Sequence, residues 1–179
     1  MRLFAAVWPT DEVRAAIAAA VNEMRARPAA SDWRWVRPEH WHVTVAFYGS
    51  VETALVPELS RRLTMAARRR AEFDLALGQP GRFGDRVVWL GLDGDRTGLR
   101  RLAEGAVAAG RRAGLELDER RFRPHLTLAR SRHGGDAAHL VQVEVPAVTW
   151  PVATFALVRS QTGPQVQYDS LAEFSLGGG

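Results

Sequence analysis

The chain of 179 residues has the length of one typical domain, long enough to bury a hydrophobic core without disulfides or metals. It contains no cysteine, which excludes disulfide bonds, thiolate zinc sites and cysteine nucleophiles. All 24 basic residues are arginine, which excludes a phosphate-loop lysine, a lysyl-adenylate and a Schiff base. The net charge of +4 favours a polyanionic partner such as nucleic acid, although genomic base composition alone would explain the arginine repertoire equally well.

The first predicted strand covers residues 1–8, an apolar run that Pro9 stops before it reaches the length of a secretory signal or a membrane span. We therefore expect a cytoplasmic protein that does not enter a membrane. An amphipathic helix follows, with Thr10 or Asp11 as its N-cap. Its apolar residues recur at spacings of four, four and three, at Val13, Ile17, Val21 and Met24.

The next part of the chain predicts a connector, a strand and a helix. The connector, at residues 33–38, is extended because of its closing proline. The strand at residues 42–49 is rich in β-branched and aromatic residues. The helix at residues 55–70 ends in three arginines, which suit the negative end of the helix dipole.

Two more strands and a third helix follow. The strands, at residues 73–77 and 86–92, are predicted to be joined by the glycine- and proline-rich segment 78–81. The helix is predicted to be capped by Thr97 and to stop at Gly114.

The C-terminal part contains another strand and a final hairpin. The strand covers residues 125–130, and the hairpin pairs residues 154–159 with residues 166–176. The glycines at residues 177–179 predict a disordered tail.

The order of these elements repeats, because a strand, a capped helix, a connector and a His-x-Thr strand occur twice. The spacing is 38 positions from Phe4 to His42 and 37 positions from Val88 to His125, which is typical of a duplicated half. We therefore predict one bilobed domain over residues 1–176 with pseudo-twofold symmetry. The fold class is α+β, with two mainly antiparallel sheets facing each other, helices outside and an active-site cleft between the lobes.

The two His-x-Thr motifs carry the predicted chemistry. Side chains alternate along a strand, so His42 shares a face with Thr44, and His125 shares a face with Thr127. Two imidazoles with ordinary pKa values near 6.5 can supply a neutral base and a protonated acid at neutral pH, and two hydroxyls can donate to phosphate oxygens. One such motif is most often a half-buried histidine with satisfied hydrogen bonds, but two copies at matched positions favour an acid–base pair.

A metal site is the alternative use of these histidines, because His40 and His42 have a His-x-His spacing. The second repeat has Arg123 at the position of His40, so the spacing is not repeated. We therefore predict no metal and no cofactor.

Other residues near the motifs are candidates for substrate binding. Trp41 and Phe122 are the predicted stacking partners of a nucleobase, since an aromatic face tolerates any base. Phe47 is predicted to pack in the core. Arg130 points away from the site on strict alternation, and only a bulge or strand end at Ala129 would turn it toward a phosphate.

The paired motifs and their flanks resemble the 2H phosphoesterase superfamily, in particular bacterial RNA 2',3'-cyclic phosphodiesterases, historically also called 2'-5' RNA ligases. The resemblance covers nearly the whole chain and includes residues 35–39 and 122–130. It implies that His42 donates a proton to the leaving 3'-oxygen, that His125 activates water, and that an RNA 2'-phosphate forms without metal or nucleotide cofactor. One departure is Tyr48, where the family more often has leucine; this residue could alter base preference.

Two other functions use the same features. A non-catalytic RNA-binding module would keep the cleft and the positive charge. Ligation of RNA ends to a 2'-5' linkage is formally the reverse reaction through the same histidines, although water at high concentration favours hydrolysis. In each case we expect RNA as the partner, here with 2',3'-cyclic phosphate ends, and a monomer with no obligate protein partner.

Overall fold

The protein folds into an antiparallel sheet with helices packed against one face. The computed structural model describes residues 1–117, 121–161, 163 and 166–177. The strands are β1 (Arg2–Val7), β2 (Arg34–Trp35), β3 (Val43–Ser50), β4 (Phe73–Phe83), β5 (Val87–Gly94), β6 (Leu126–Arg130), β7 (Thr149–Val152), β8 (Thr154–Gln161) and β9 (Gln167–Ser175). The helices are α1 (Asp11–Arg25), α2 (Val56–Arg68), α3 (Arg96–Arg112) and α4 (Ala137–Leu140). None of the helices in these ranges is long and apolar enough to cross a membrane.

The strand order shows the internal duplication. Along the sheet it is β7, β4, β5, β6, β3, β1, β8 and β9, with β2 paired to β6 beside this path. The order is equivalent from either end if β5 corresponds to β1, β6 to β3, β4 to β8 and β7 to β9. The predicted α+β class with antiparallel strands and outer helices is confirmed.

The two halves form one sheet, so the prediction of two separate sheets facing each other is wrong. The junction is a single pair of residues, Val43 of β3 and Leu126 of β6. The connector strand β2 pairs with β6 beyond this junction, Arg34 with Arg130 and Trp35 with Ala129. The two motif strands therefore begin side by side at the middle of the sheet, and each then continues into its own half.

The main core lies between the sheet and helices α1, α2 and α3. The predicted apolar face of α1 is buried in it, and Thr10 is the N-cap of that helix. Strand β1 is buried on both faces, since Leu3 points to the helices while Phe4 and Ala6 point the other way. We call the side of the sheet opposite the helices the open face. Its floor is a small apolar cluster made by Phe4, Ala6, Ala156 and Val158.

Several predicted boundaries differ from the structure. Residues 78–81 lie inside β4, where a register shift between Leu77 and Pro80 accommodates the proline, so the predicted linker is wrong. Strand β7 and helix α4, four residues each, were not predicted because such short elements leave little periodicity. The N–H of Gly177 donates to the carbonyl of Arg70 at 2.7 Å, so that residue is ordered; the rest of the predicted tail, residues 178–179, lies outside the described residues.

Two β-bulges at equivalent positions reverse the alternation of side chains in the rest of each motif strand. In β3, Thr44 pairs with Ala6 and Ala46 pairs with Ala5, which leaves Val45 as the extra residue. In β6, Thr127 and Ala129 pair with successive residues of β5 in the same way, and the extra residue is Leu128. Two consecutive side chains after each threonine are therefore buried, and the third returns to the open face. The third residues are Phe47 and Arg130.

The N-cap of α3 differs from the prediction and gives a test of the fold. The carboxylate of Asp95 accepts a hydrogen bond from the N–H of Gly98 at 2.7 Å, so the cap is Asp95 and the predicted cap, Thr97, lies inside the helix. Asp95→Ala should lower the free energy of unfolding by about 1 kcal/mol, because one helix donor loses its partner. Thr97→Ala is the matched control and should have a much smaller effect in the same urea titration. An equal loss in both variants would contradict this assignment.

Candidate active site

His42 lies directly before β3 and is fixed by the backbone two residues upstream. Its Nδ1 lies 2.7 Å from the carbonyl oxygen of His40, and because a carbonyl only accepts, Nδ1 carries the hydrogen. Its Nε2 lies 3.1 Å from the hydroxyl of Thr44. The hydroxyl can donate to a neutral imidazole or accept from a protonated one. Nε2 is thus the nitrogen that can exchange a proton with a ligand.

His125 is anchored through Nδ1 in the same way in the second half. Its Nδ1 lies 2.7 Å from the carbonyl oxygen of Arg123, which is again two residues upstream. Its Nε2 is therefore also the nitrogen that faces a ligand. The two backbone carbonyls fix both rings in the same tautomer and in equivalent orientations.

The structure brings the two predicted histidines together. Each directly precedes one residue of the junction pair, Val43 or Leu126, and paired residues of neighbouring strands lie about 5 Å apart at their Cα atoms. The charge of His125 also contributes to lowering the pKa of His42, as expected for imidazoles that share a site. Both motifs therefore face one cleft.

Aromatic rings enclose His42. Phe4 stacks on its imidazole at 4.9 Å between ring centroids, Trp8 lies at 5.3 Å, and Tyr168 covers it edge-on at 5.3 Å. Phe4 and Trp8 are four residues apart on β1 and its end, so they flank the ring from the same face. Tyr168 reaches the site from the C-terminal hairpin β8–β9.

This enclosure changes the titration of His42. Burial lowers its pKa to about 4. The hydrogen bond to the carbonyl of His40 opposes this shift, while the positive charges of His40, His125 and Arg130 add to it. In the ligand-free protein His42 is therefore neutral at pH 7, with Nε2 available as an acceptor.

His125 is more open than His42. Phe83 contacts its ring edge-on at 5.0 Å, and Trp89 lies 6.4 Å away. Burial is also the main cause that lowers its pKa, and the charge of Arg130 contributes. The two imidazoles thus share the Nδ1 anchor and differ in exposure to solvent.

Arg130 is exposed on the open face, and its charge acts on both histidines. A bulge turns it to this face as the sequence analysis required, although the extra residue is Leu128 and not Ala129. The charge of Arg130 lowers the pKa of His42 and His125 and partly offsets the burial that raises the pKa of Tyr168. One positive charge thus acts on both imidazoles.

The aromatic predictions need correction. Trp41 is 1% exposed and belongs to the main core, so it cannot stack a nucleobase; a residue next to His42 in a strand takes the opposite face. Phe122 packs against the same core. Tyr48 is also buried, with its hydroxyl donating to the carbonyl of Ala106, and does not contact the cleft. Phe47 is 52% exposed on the open face instead of buried.

The aromatic residues that do line the cleft were missed, although part of the signal was present. They are Phe4, Trp8, Phe83, Trp89 and Tyr168. The alternation of β1 places its aromatic residues on one face, but only the pairing of β1 with β3 shows that this face carries the site.

Potential metal ligands lie apart from one another in the described part of the chain. Among the described residues, no three His, Asp or Glu side chains are grouped as a metal ion would require. Nε2 of His40 accepts a hydrogen bond from the guanidinium of Arg37 at 3.2 Å, and that guanidinium also pairs with Glu39. Metal independence stays a prediction for assay.

Comparisons with known proteins agree with this geometry. The model of the 2'-5' RNA ligase superfamily matches residues 9–164. The chain is 36% identical to an RNA 2',3'-cyclic phosphodiesterase of Thermus thermophilus, over 99% of this chain and 91% of that protein. A crystal structure of a Thermus thermophilus protein superposes with a TM-score of 0.84 at 33% identity, covering 99% of both chains. Escherichia coli LigT in its apo form gives 0.79 at 28% identity, covering 98% of this chain and 96% of that one, and LigT has also been crystallised with phosphate and with 3'-AMP.

The low pKa of His42 predicts a pH dependence of stability. The unfolded chain binds a proton at this histidine near pH 6.5 and the folded one only near pH 4, so the stabilisation is present above pH 6.5 and is lost as the pH falls toward 4. The expected loss is on the order of 3 kcal/mol. His42→Gln cannot titrate, so its free energy of unfolding should fall less than that of the wild type over this range. Parallel curves in urea titrations would show that His42 is not the group responsible.

Proposed function

We propose that this chain, which belongs to the 2'-5' RNA ligase superfamily, is an RNA 2',3'-cyclic phosphodiesterase that hydrolyses the cyclic end to a 2'-phosphomonoester. The observation that carries the proposal is the pair of His-x-Thr motifs. Both imidazoles are held by backbone carbonyls with Nε2 facing one cleft, and one arginine charge lies near both. A cyclic phosphodiester needs this set of groups, namely a base, an acid and a cation.

The reaction uses the Nε2 atoms of the two histidines. Nε2 of His125 accepts a proton from water, and the water oxygen attacks phosphorus. The bond from phosphorus to O3' breaks, and Nε2–H of His42 gives its proton to O3'. The product carries a phosphate on O2' and a hydroxyl at C3', and proton exchange with solvent returns both histidines to their starting states. The assignment of His42 as donor and His125 as acceptor rests on the resemblance, because the duplicated geometry suits either direction.

The donor role requires that substrate binding charge His42. Its burial favours the neutral form and by itself would suit a base. A bound cyclic phosphate brings a negative charge against Nε2, and an opposite charge at this distance raises the pKa of an imidazole. The same phosphate would pair with Arg130, whose charge lowers the pKa of both histidines in the free protein. Substrate binding therefore raises the pKa of His42, so that its imidazole can carry the proton that it donates.

The threonines and the arginine would hold the phosphate. Thr44 and Thr127 lie on the same face as their histidines and are partly exposed, so their hydroxyls can donate to the two non-bridging oxygens. Arg130 would neutralise the charge that develops on these oxygens during attack. We expect this chemistry to proceed in the cytoplasm, in a monomer and without a metal or nucleotide cofactor.

Replacement of either histidine tests the mechanism. His42→Ala and His125→Ala should each lower kcat at least about 10²-fold on an oligonucleotide with a 2',3'-cyclic phosphate end, because each removes one proton-transfer partner. The double variant should lose little more than the worse single variant. His133→Ala, in an exposed loop, is the control and should keep full activity. The assay includes EDTA. Near-wild-type turnover by a folded single variant would mean that the two-histidine mechanism is wrong, whereas RNA binding without turnover by the wild type would favour a binding module.

The position of the phosphate in the product tests the direction of the reaction. If His42 faces O3', that bond breaks and the phosphate stays on O2'. Phosphorus NMR of the digested oligonucleotide against 2'- and 3'-phosphate standards should therefore show the 2'-phosphate. A predominant 3'-phosphate would mean that the substrate lies in the cleft the other way round, and a 2'-5' linked product would indicate ligation as the main activity.

A further inference from the structure

Arg34 and Arg130 are paired across two neighbouring strands and carry the same charge. They are register partners in β2 and β6, so their side chains lie on the same face of the sheet, with Cβ atoms about 5 Å apart. Because Arg130 is on the open face, Arg34 is on that face too, and both residues are exposed. Like charges directly opposite each other destabilise a sheet, which indicates that this pair has another use.

The residues on either side of Arg34 hold its backbone in place. Trp33 is 5% exposed and Trp35 packs against the same main core, so both indoles lie on the helix side of the sheet. The N–H of Val36 donates to the carbonyl of Leu128 at 2.8 Å, which continues the pairing of β2 with β6. Arg34 therefore projects toward the open face from an anchored strand.

No carboxylate forms an ion pair with either arginine in the described part of the chain. Asp85, in the turn at the same end of the sheet, pairs with Arg82 at 3.7 Å. Asp32 is exposed two residues before Arg34 and does not contact its guanidinium. The charges that act on the two motif histidines are also all positive. The arginine pair thus adds two positive charges to a cleft that is already cationic.

Strand β6 leads from the catalytic junction to the arginine pair. Leu126 of the junction and Arg130 are four residues apart, which is at most about 13 Å along a strand. Arg130 acts by its charge on both histidines, and Arg34 acts on neither. Arg34 is therefore the outer member of the pair, one strand beyond Arg130 and further from the reacting groups.

An RNA end carries two neighbouring negative charges that match this order. The cyclic phosphate lies on O2' and O3' of the terminal ribose, and the next phosphate is the phosphodiester on O5' of the same ribose. A guanidinium pairs with two phosphate oxygens at once and stays charged at every physiological pH. With the cyclic phosphate at the histidines, the phosphodiester is the group that can reach the outer arginine.

We propose that Arg34 is a second phosphate-binding residue, which contacts the phosphodiester on the 5' side of the nucleotide that carries the cyclic phosphate. The inference rests on the proposed phosphodiesterase function. This phosphodiester is present at the end of an RNA chain and absent from a nucleoside 2',3'-cyclic phosphate. The contact therefore selects the ends of RNA chains over free cyclic mononucleotides.

Two matched dinucleotides test the proposal. Both end in a 2',3'-cyclic phosphate and begin with a deoxynucleotide, so that only the cyclic end reacts. The link between the nucleotides is a phosphodiester in one and an uncharged methylphosphonate in the other. The wild type should hydrolyse the phosphodiester dinucleotide with the higher kcat/KM. Arg34→Gln should lower kcat/KM on this substrate by about 5- to 10-fold, mainly through KM, because one charged contact is lost. Its kcat/KM on the methylphosphonate dinucleotide should equal that of the wild type.

Further measurements separate this contact from a structural effect. Arg34→Lys keeps the charge and should restore most of the preference for the phosphodiester. Added salt should lower the kcat/KM of the wild type on the phosphodiester dinucleotide more steeply than that of Arg34→Gln, since the variant neutralises one phosphate fewer. Arg100→Gln, at an exposed position of α3 on the other side of the sheet, is the control and should behave as the wild type.

The outcomes distinguish this proposal from the proposed function. If Arg34→Gln lowers kcat/KM equally on both dinucleotides, Arg34 acts on the fold and the proposal is wrong. If the wild type hydrolyses both dinucleotides equally, the phosphate contact fails and the phosphodiesterase stands. Hydrolysis of neither dinucleotide overturns both.

Discussion

The structure depends on the pairing of two strands from different halves through Val43 and Leu126. Because each residue directly follows a motif histidine, this one pair sets His42 beside His125. Backbone carbonyls then orient both rings, and no side chain is needed to fix the tautomer. Acid–base catalysis on a small phosphate needs two imidazoles at close range with their free nitrogens on the same side. The antiparallel junction provides that arrangement from backbone hydrogen bonds alone.

The paired bulges determine what surrounds the histidines. A regular strand after each motif would turn Phe47 and Arg130 into the core, where a guanidinium without a partner is strongly unfavourable. One extra residue directly after each motif threonine brings both side chains back to the cleft. Since the bulge occurs at the same position in both halves, the cleft has two equivalent positions beyond the threonines. Different residues at these positions, an arginine and a phenylalanine, give the cleft a charged side and an apolar side.

The sequence predicted the parts of the fold that follow from local periodicity. The apolar spacing of α1 and its Thr10 cap, the two motif strands and the final hairpin depend on neighbouring residues, and the structure has all of them. The pairing of β1 with β3 shows which aromatic residues line the cleft. This pairing depends on long-range contacts, which local periodicity cannot predict. The face of Phe47 depends on a bulge, and a bulge has no reliable sequence signal. Trp41 is a different case, because alternation from His42 already placed it on the core face.

The two histidines differ in exposure, and the strands beside the motifs differ at one pair of equivalent positions. Ala6 pairs with the threonine of the first motif, and Trp89 pairs with the threonine of the second. The small side chain of Ala6 leaves room for His42 to settle between aromatic rings, which bury it. The indole of Trp89 lies over Gly81 of β4, so close that a Cβ there would clash with the ring, and β4 is on the side of β5 away from His125. Rings from β4 and β5 therefore contact His125 only from its edge or at a distance, and it stays more open than His42. The duplicated frame gives both imidazoles the same Nδ1 anchor, and the side chains packed around them give each a different environment.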